Sequence, residues 1–454
     1  MLTMNMLTII NNATIVNESE QWLGAVVIDG EFISEVLKQP VADTSKYDNV
    51  IDATGLFLMP GVIDDHVHFR EPGLTHKADI ATESRTAAAG GVTSFMDMPN
   101  TVPQTTTIEA LEEKFRLGAE KSRVNYSFHF GATNDNSDLL PQLDPTRVPA
   151  VKVFMGSSTG NMLVDGDPTL HRIFSTSPLM IMTHCEDSAI IEQNIEQFRK
   201  RYKGQNDFPV RYHSRIRSAE ACYSSSLRAV KMAQLTGARL HIAHVSTAKE
   251  LELFDDNMDV TQKRITAEVA IPHLMFTSED YDHLGAKIKC NPSVKTIEDR
   301  EALRDALMTG QIDVIATDHA PHLLREKVGG ALRAMSGMPM IQFSLISMLE
   351  LSDQGYLPVE RVVQLMSHNP ALLYKIDRRG FIRKGYYADL VLVDPEANWR
   401  VQSGQYYTKC GWTPMDERLF KWRVTRTIVN GTTAYADGIV VDGVRGKELR
   451  FNAG

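Results

Sequence analysis

Residues 61–69 read GVIDDHVHF, an apolar run that ends in two histidines one residue apart. In an extended strand alternate side chains share a face, so His66 and His68 point the same way and Val67 points the other way. Two imidazoles on one face can bind a single metal ion. The alternative is an edge strand whose exposed face happens to carry two histidines. This stretch alone leaves both interpretations open.

The pattern of residues 61–69 recurs along the chain, as an apolar strand that ends in polar residues and is followed by a helical stretch. Helical periodicity is evident between several strands, as in residues 107–122 and 218–237. Strands that alternate with helices form βαβ units and a parallel sheet, and eight such units close a TIM barrel. The predicted fold is therefore α/β, a TIM (β/α)8 barrel. Its eight strands are predicted at residues 61–69, 92–100, 125–133, 150–158, 179–187, 239–247, 264–272 and 313–322.

The two ends of the chain have a different pattern. Residues 1–60 contain short β-rich segments with turn signals such as NNAT and DATG, and residues 378–454 contain similar segments such as ADLVLVD. We predict a small β-sandwich domain formed by both chain ends, 1–60 and 378–454. The metal-dependent barrel, residues 61–377, is inserted between these two parts.

Charge and composition limit the classes of function that this sequence can have. A net charge of -9 disfavours nucleic-acid binding, which needs a basic face. The N-terminus lacks the features of a signal peptide, and no apolar stretch is long enough to span a bilayer, so no membrane partner is expected. The scattered cysteines lack CxxC spacing, which fits reduced thiols in a cytoplasmic protein. They are Cys185, Cys222, Cys290 and Cys410.

The carboxyl ends of the predicted strands carry residues suited to metal chemistry. Barrel active sites are built at these ends, so residues far apart in sequence meet at one mouth. Four histidines and an aspartate exceed the roughly three protein ligands of one catalytic zinc. They suit two metals roughly 3.5–4 Å apart that share a bridging hydroxide. The four histidines are His66, His68, His184 and His244, and the aspartate is Asp318. The other candidates at the strand ends are Arg70, Asn100, Lys152 and His322.

Lys152 is the unusual member of this set. A bare ammonium beside two dications would be repelled, and the apolar strand around Lys152 offers no partner. A lysine carbamylated by carbon dioxide becomes an anion with one oxygen for each metal. An isolated lysine would more often extend its ammonium out of the strand into solvent. The place of Lys152 in the series of strand ends favours the bridging role.

Single members of the set have simpler explanations. His184 or His244 alone would more often be a hydrogen-bonded core histidine, and Asp318 could cap a helix or turn. Glu268, within the seventh strand, could support the site or could simply be buried and paired. The joint occurrence of these residues at the strand ends of one predicted barrel favours a metal site.

Several motifs at these positions resemble those of the dihydroorotases, a family within the amidohydrolase superfamily. The resemblance covers most of the chain. The sequence differs from the usual family pattern at Pro272, Ser293 and Ser336, none of which is a predicted metal ligand. The motifs are DDHVHFREPGLTHK, MPNTVPQTTT, KVFMGSSTG, THCED, IAHVST, NPSVKT and ATDHAPH.

The resemblance implies a ligand set and a substrate site. Two Zn²⁺ ions would be bridged by carbamylated Lys152 and a hydroxide, one ion held by His66, His68 and Asp318. His184 and His244 would hold the second ion. The implied substrate-binding residues are His68, Arg70, Asn100, Asn291, His322, Ser336 and Gly337.

The resemblance also implies an activity, the reversible interconversion of L-dihydroorotate and N-carbamoyl-L-aspartate in pyrimidine synthesis. Asp318 would be the catalytic general base and acid, and a homodimer is possible. Allantoinases usually carry Asn in place of Arg70, and hydantoinases commonly have Tyr in the segment that here reads Met155-Gly156-Ser157. Both features favour dihydroorotase. The other alternative is a non-catalytic scaffold homologue, which typically loses a ligand, whereas this chain keeps all six.

Arg70 follows His66 and His68 by the same period of two, so we expect it on the same strand face, just beyond the metals. There its planar fork can pair with a substrate carboxylate through two hydrogen bonds. The alternative is that Arg70 only braces the following turn through Glu71.

Overall fold

The computed structural model describes residues 6–156 and 161–452. Ser157 belongs to the segment that lacks the tyrosine common in hydantoinases, and it lies outside the described residues. The strands, β1 to β20, are Leu7–Asn17, Glu20–Asp29, Phe32–Leu37, Asn49–Asp52, Phe57–Pro60, Val62–Val67, Val92–Asp97, Asn125–Phe128, Phe130–Gly131, Ala150–Phe154, Met180–His184, Leu240–Ile242, Ile265–Ala270, Val314–Ala316, Leu390–Asp394, Trp399–Arg400, Leu419–Phe420, Arg423–Val429, Thr432–Ala436 and Ile439–Val440. The α-helices, α1 to α12, are Ile80–Ala89, Ile108–Lys121, Asp167–Thr176, Ser188–Arg201, His213–Ile216, Ala219–Thr236, Ile271–Met275, Tyr281–Leu284, Ile297–Thr309, Ser344–Asp353, Val359–Val363 and Asn369–Leu373.

Parallel strands form a closed ring at the centre of the molecule. Strands β6 to β8 pair in one set and β9 to β14 in another. The third predicted strand is split into β8 and β9 at His129, whose ring lies 3.0 Å from the carbonyl oxygen of Asp65. A parallel bridge between Val67 and His319 joins β6 to the segment after β14. With β8 and β9 counted as one, eight strand positions close the ring, and the predicted TIM-barrel fold class is confirmed.

The helices between barrel strands begin at side-chain caps. At the start of α2 the Thr107 hydroxyl accepts a hydrogen bond from the Ala110 amide, and Ser218 does the same at the start of α6. Helix α6 ends at Gly237, whose φ of 73° is the left-handed conformation that glycine adopts without strain. The helices predicted at 107–122 and 218–237 therefore match α2 and α6.

A nine-stranded sheet combines both ends of the chain, in the order β20-β19-β18-β15-β5-β1-β2-β3 with β4 beside β1. Strand β5, which precedes the barrel, lies between β1 and β15, and β15 follows the barrel. Ile10, Ile15, Leu58 and Leu390 are buried together in the core of this sheet. The β domain made by both chain ends is thus confirmed, whereas its boundaries at 60/61 and 377/378 stay predictions.

The barrel strands direct their polar side chains to a single mouth. The parallel barrel strands are buried on both faces, as the first one, Val62–Val67, shows over its whole length. Polar side chains therefore emerge at the strand ends, where backbone pairing stops.

None of the described helices is long and apolar enough to cross a membrane.

Candidate metal centre and substrate pocket

A pocket of about 600 Å³ opens at the carboxyl ends of the barrel strands. Lys152 is not among its lining residues, because it is fully buried within β10. The other sequence-predicted site residues all line it. They are His66, His68, Arg70, Asn100, His184, His244, Asn291, Asp318, His322, Ser336 and Gly337.

His66, His68 and Asp318 converge on one point of the pocket floor. Oδ1 of Asp318 lies 3.1 Å from Nε2 of His68 and 3.7 Å from Nε2 of His66. Ligand atoms of the three residues lie within 4.8 Å of one another, a spacing at which they could hold a metal ion. Asp318 has a φ of 45°, in the left-handed region, so its backbone is held in a strained conformation typical of functional sites.

Neighbouring oxygen atoms orient the two imidazoles. Nδ1 of His66 lies 3.0 Å from Oε1 of Glu268, and Nδ1 of His68 lies 2.8 Å from Oδ1 of Asn100. If each Nδ1 carries the proton, each Nε2 presents a lone pair to the point at which Asp318 also aims. Three hydrogen-bond acceptors then face one another, and a bound cation would offset their mutual repulsion. Glu268 also accepts the backbone N–H of His244 at 3.0 Å, so this buried, paired residue also supports the site.

His184 and His244 form the second imidazole pair. Nδ1 of His184 lies 3.0 Å from Nε2 of His244. Nε2 of His184 lies 2.9 Å from Glu186, which also pairs with Arg217. Although burial opposes ionisation, Arg217 and His184 hold the pKa of Glu186 down to about 2. A carboxylate behind a histidine fixes its tautomer, so Nδ1 of His184 is the atom left to bind a metal.

Burial keeps these imidazoles uncharged. It lowers the pKa of His66 and of His244 well below the ordinary histidine value, with Lys152 and neighbouring histidines adding to the effect. The pKa of His184 is also lowered, chiefly by burial. Metal ligation needs the neutral imidazole, and the lowered pKa values of His66, His184 and His244 favour that form.

Lys152 lies beneath this floor. Its Nζ is buried and has no hydrogen-bond partner among the described residues. Burial lowers the pKa of Lys152 to about 8, against the opposing effect of Glu268 and Asp318. An uncharged amine is the form that reacts with carbon dioxide, and an unsatisfied buried amine is a costly feature in a folded core. Both observations suit the predicted carbamylation.

Arg70 forms the cationic side of the pocket with His322 and Lys77. Its Nη2 lies 3.0 Å from Nε2 of His322, and its Nε donates to the carbonyl oxygen of Pro321 at 3.1 Å. Nζ of Lys77 lies 3.1 Å from Nδ1 of the same histidine. Burial and the nearby cations lower the pKa of His322, so the imidazole between Arg70 and Lys77 is uncharged. Arg70 makes no ion pair with a carboxylate of the described residues.

Arg70 does not lie on the strand face that it was predicted to share with His66 and His68. Strand β6 ends at Val67, and the backbone N–H of Phe69 donates to Oδ1 of Asp97 at 2.7 Å. Arg70 itself has a φ of 68°, so the chain has already left the extended conformation. Arg70 reaches the pocket through this turn and not by alternation along a strand. Glu71 accepts a hydrogen bond from the Ile80 backbone N–H and forms an ion pair with Lys121. The alternative, in which Arg70 braces the turn through Glu71, is therefore excluded.

Asn291, Ser336 and Gly337 lie on two loops that face each other. Oδ1 of Asn291 lies 3.1 Å from Nε2 of His213, and the same nitrogen lies 2.9 Å from the carbonyl oxygen of Cys290. A carbonyl can only accept, so Nε2 of His213 carries a proton and fixes the Asn291 amide. The Gly337 N–H donates to the carbonyl oxygen of Lys289 at 2.8 Å.

The arrangement of a TIM barrel with histidines, a lysine and an aspartate at its mouth agrees with the comparisons with known proteins. A family model described as the amidohydrolase family matches residues 57–434. This chain belongs to the amidohydrolase family. A protein of Halobacterium salinarum named dihydroorotase is 35% identical over 397 residues, which are 87% of this chain and 89% of that protein.

Other members of the amidohydrolase family are also similar. A Deinococcus radiodurans protein named allantoinase is 32% identical over 95% of this chain and 96% of its own length. The structure of an L-hydantoinase from Arthrobacter aurescens has a TM-score of 0.89 and 26% identity, with 96% of this chain and 98% of that chain covered. The fold and the family are therefore shared among proteins with three different names.

Amidohydrolases are generally metal-dependent, and the residues of this chain fit such a site. The donors are imidazole nitrogens and a carboxylate, a set that suits zinc and several other divalent ions. The buried Nζ of Lys152, without a partner among the described residues, is the feature that a bridging carbamate would explain. His66, His68, Lys152, His184, His244 and Asp318 remain the candidate ligands of this amidohydrolase.

Sequence reasoning missed several residues of the pocket. Lys77, His213, Arg217 and Lys289 line it, and Lys327 lies behind it. Two of them had a signal in the sequence, since Lys77 ends the motif DDHVHFREPGLTHK and Lys289 precedes the motif NPSVKT by two residues. The other three lie between motifs, where a single sequence offers no periodicity that singles them out.

Proposed function

We propose that this amidohydrolase is a dihydroorotase, which interconverts L-dihydroorotate and N-carbamoyl-L-aspartate in pyrimidine synthesis. The observation that carries the proposal is the state of Arg70, a buried guanidinium without a carboxylate partner among the described residues. A buried charge is costly unless it is paired. A substrate carboxylate bound at Arg70 would supply that pair, and it would bring the substrate to the edge of the candidate metal floor.

We propose two Zn²⁺ ions at the floor, one held by His66, His68 and Asp318 and the other by His184 and His244. Carbamylated Lys152 would be the shared ligand. When bound, such a pair of metals supplies a nucleophilic water at neutral pH and polarises the substrate carbonyl. Glu268 and Glu186 keep His66 and His184 in the required tautomers.

Asp318 is the candidate proton carrier. Its carboxylate sits at the floor of the pocket, 3.1 Å from Nε2 of His68. In hydrolysis Asp318 would take a proton from the attacking water and give it to the departing ring nitrogen. The reverse reaction needs the same two roles in the opposite order, and one carboxylate can perform both.

The wall of the pocket would orient the substrate. Arg70 and His322 lie where a carboxylate can accept two or more hydrogen bonds. Asn100 presents Oδ1 to His68, which leaves its amide N–H group to be aimed at the substrate. Asn291, fixed by His213, and the segment at Ser336 and Gly337 lie across the pocket, where they would contact the part of the ring away from the amide bond that breaks.

The decisive experiment is turnover of dihydroorotate, allantoin and dihydrouracil side by side on the same preparation, with metal content measured per chain. We expect dihydroorotate to be turned over fastest, because only this substrate has a carboxylate for Arg70. Preference for allantoin or dihydrouracil would contradict the proposal. A chain that binds no metal and turns over none of the three would be a scaffold. The homodimer and the cytoplasmic location remain predictions.

A further inference from the structure

Lys327 is a buried lysine whose ammonium forms hydrogen bonds only with backbone carbonyls among the described residues. Its Nζ donates to the carbonyl oxygens of Met335 and Gly337, both at 2.6 Å, and to that of Lys289 at 3.1 Å. An ammonium has three N–H donors, so these three contacts use its full capacity. Lys327 makes no ion pair with a carboxylate of the described residues.

The three carbonyls belong to the two segments that face the substrate pocket. Met335 and Gly337 flank Ser336, and Lys289 lies two residues before Asn291. The carbonyl oxygen of Lys289 accepts from both Lys327 and the Gly337 backbone N–H. Lys327 therefore occupies the junction between these segments, although its side chain does not line the pocket.

The junction has little freedom to rearrange. Gly337 has a φ of 127°, and a Cβ at this position would lie 2.6 Å from the carbonyl oxygen of Ala320. The ammonium of Lys289 donates to the carbonyl oxygen of Ala334, so a second lysine anchors the same segment. Burial lowers the pKa of Lys327 to about 7, and Lys289 and Arg70 contribute to this shift. Burial thus makes the charged form of Lys327 costly, and a positional role would explain why a lysine lies here.

We propose that Lys327 is a positioning residue that locks the segments 289–291 and 335–337 to each other and so sets the width and orientation of the substrate wall. The inference rests on the proposed function for the identity of the substrate, but it concerns only the wall. Because these segments would contact a part of the substrate that does not react, their displacement should weaken binding more than it slows the chemical step.

The test compares the kinetics of the wild-type holoenzyme with those of Lys327→Met, which keeps the length and the apolar stem but removes the three donors. We expect the KM for dihydroorotate to rise by about tenfold or more and kcat to fall by less than about threefold, with metal content unchanged. If Lys327→Met gives no folded protein, Lys327→Gln keeps two N–H donors and takes its place, with the same split expected.

Lys263→Met is the matched control. Lys263 is also a buried ammonium, and it donates to the carbonyl oxygen of Gly310 at 2.6 Å and to Asp313 at 2.9 Å. It precedes β13, at the opposite end of the barrel from the pocket. A merely structural role for Lys327 would make the two variants alike, with lowered Tm and unchanged KM, and that result would overturn the inference.

The wild-type assay separates this inference from the proposed function. If the wild type does not turn over dihydroorotate but accepts allantoin or dihydrouracil, the proposed function fails, and the KM comparison is made with the accepted substrate. A raised KM for that substrate in Lys327→Met supports the positioning role, and an unchanged KM contradicts it. If the wild type prefers dihydroorotate and Lys327→Met keeps its KM, only the positioning role fails.

Discussion

The floor of the pocket is built from strand ends, whereas its wall is built from loops. On the floor, His66, Lys152 and His184 lie within strands, and carboxylates behind the imidazoles fix their orientation. On the wall, Arg70 lies in the turn that follows β6, and Lys327 is held by backbone carbonyls. The floor presents imidazoles that can bind cations, and the wall presents Arg70, a buried cation without a carboxylate partner among the described residues.

This difference separates two kinds of defect. A substitution on the floor should change metal content or kcat, because it alters the group that performs the chemistry. A substitution on the wall should act mainly on substrate binding and should leave the metal in place. The four substitutions below test this separation, starting with the one expected to have the largest effect.

Lys152→Ala should abolish most activity and metal binding. Loss of the proposed carbamate removes the ligand shared by both metals, so turnover should fall by more than about 10³-fold. Short carboxylic acids should restore part of the activity, because they supply the missing oxygens, and they should have no such effect on the wild type. Metal analysis and turnover with and without acetate provide the measurement. Full metal occupancy with normal turnover would contradict the bridging role.

Asp318→Asn should lower kcat by about 10²–10⁴-fold, because the amide cannot accept the proton. The fold and much of the bound metal should remain, since Asn keeps the shape of the side chain. Steady-state kinetics and metal content measured on one preparation check this expectation. Near-normal turnover would assign the proton transfer to another group.

Arg70→Met should weaken substrate binding by the wall and leave the metal-binding floor intact. Removing one partner of a desolvated charge pair costs about 2–5 kcal/mol, which corresponds to about 30-fold to several-thousand-fold in catalytic efficiency. The loss should appear with dihydroorotate, while residual activity on dihydrouracil, which lacks the carboxylate, should suffer far less. Zinc content should stay normal. Equal losses on both substrates would show that Arg70 does not bind the carboxylate.

Glu186→Gln should have the smallest effect of the four. Glu186 contacts Nε2 of His184 and pairs with Arg217, so its loss should loosen the orientation of one metal ligand. Partners of this kind typically contribute about 10–100-fold to metal affinity or activity. Titration of the metal-free protein with zinc should show the weaker site, and KM at saturating zinc should be unchanged. A raised KM with normal zinc affinity would show that Glu186 acts on substrate binding and not on the metal site.

The sequence predicted the floor better than the wall, for a physical reason. Alternation along a strand and convergence at a barrel mouth place His66 and His184 without any knowledge of loops. Arg70 was identified for the wrong reason, because the turn that directs it depends on Asp97, a residue of the next strand. Lys327 was missed, because its three partners are backbone carbonyls, which any sequence provides.

The position of β5 between β1 and β15 also affects how the chain is made. A ribosome releases β1 to β5 long before β15 has been synthesised, so β5 has an unpaired edge while the whole barrel emerges. Unpaired edges of this kind invite pairing with other chains, and contacts between distant parts of a sequence form slowly. Synthesis that stops before residue 390 would leave that edge exposed for good. Truncated products of this gene should therefore aggregate even when their barrel segment is complete.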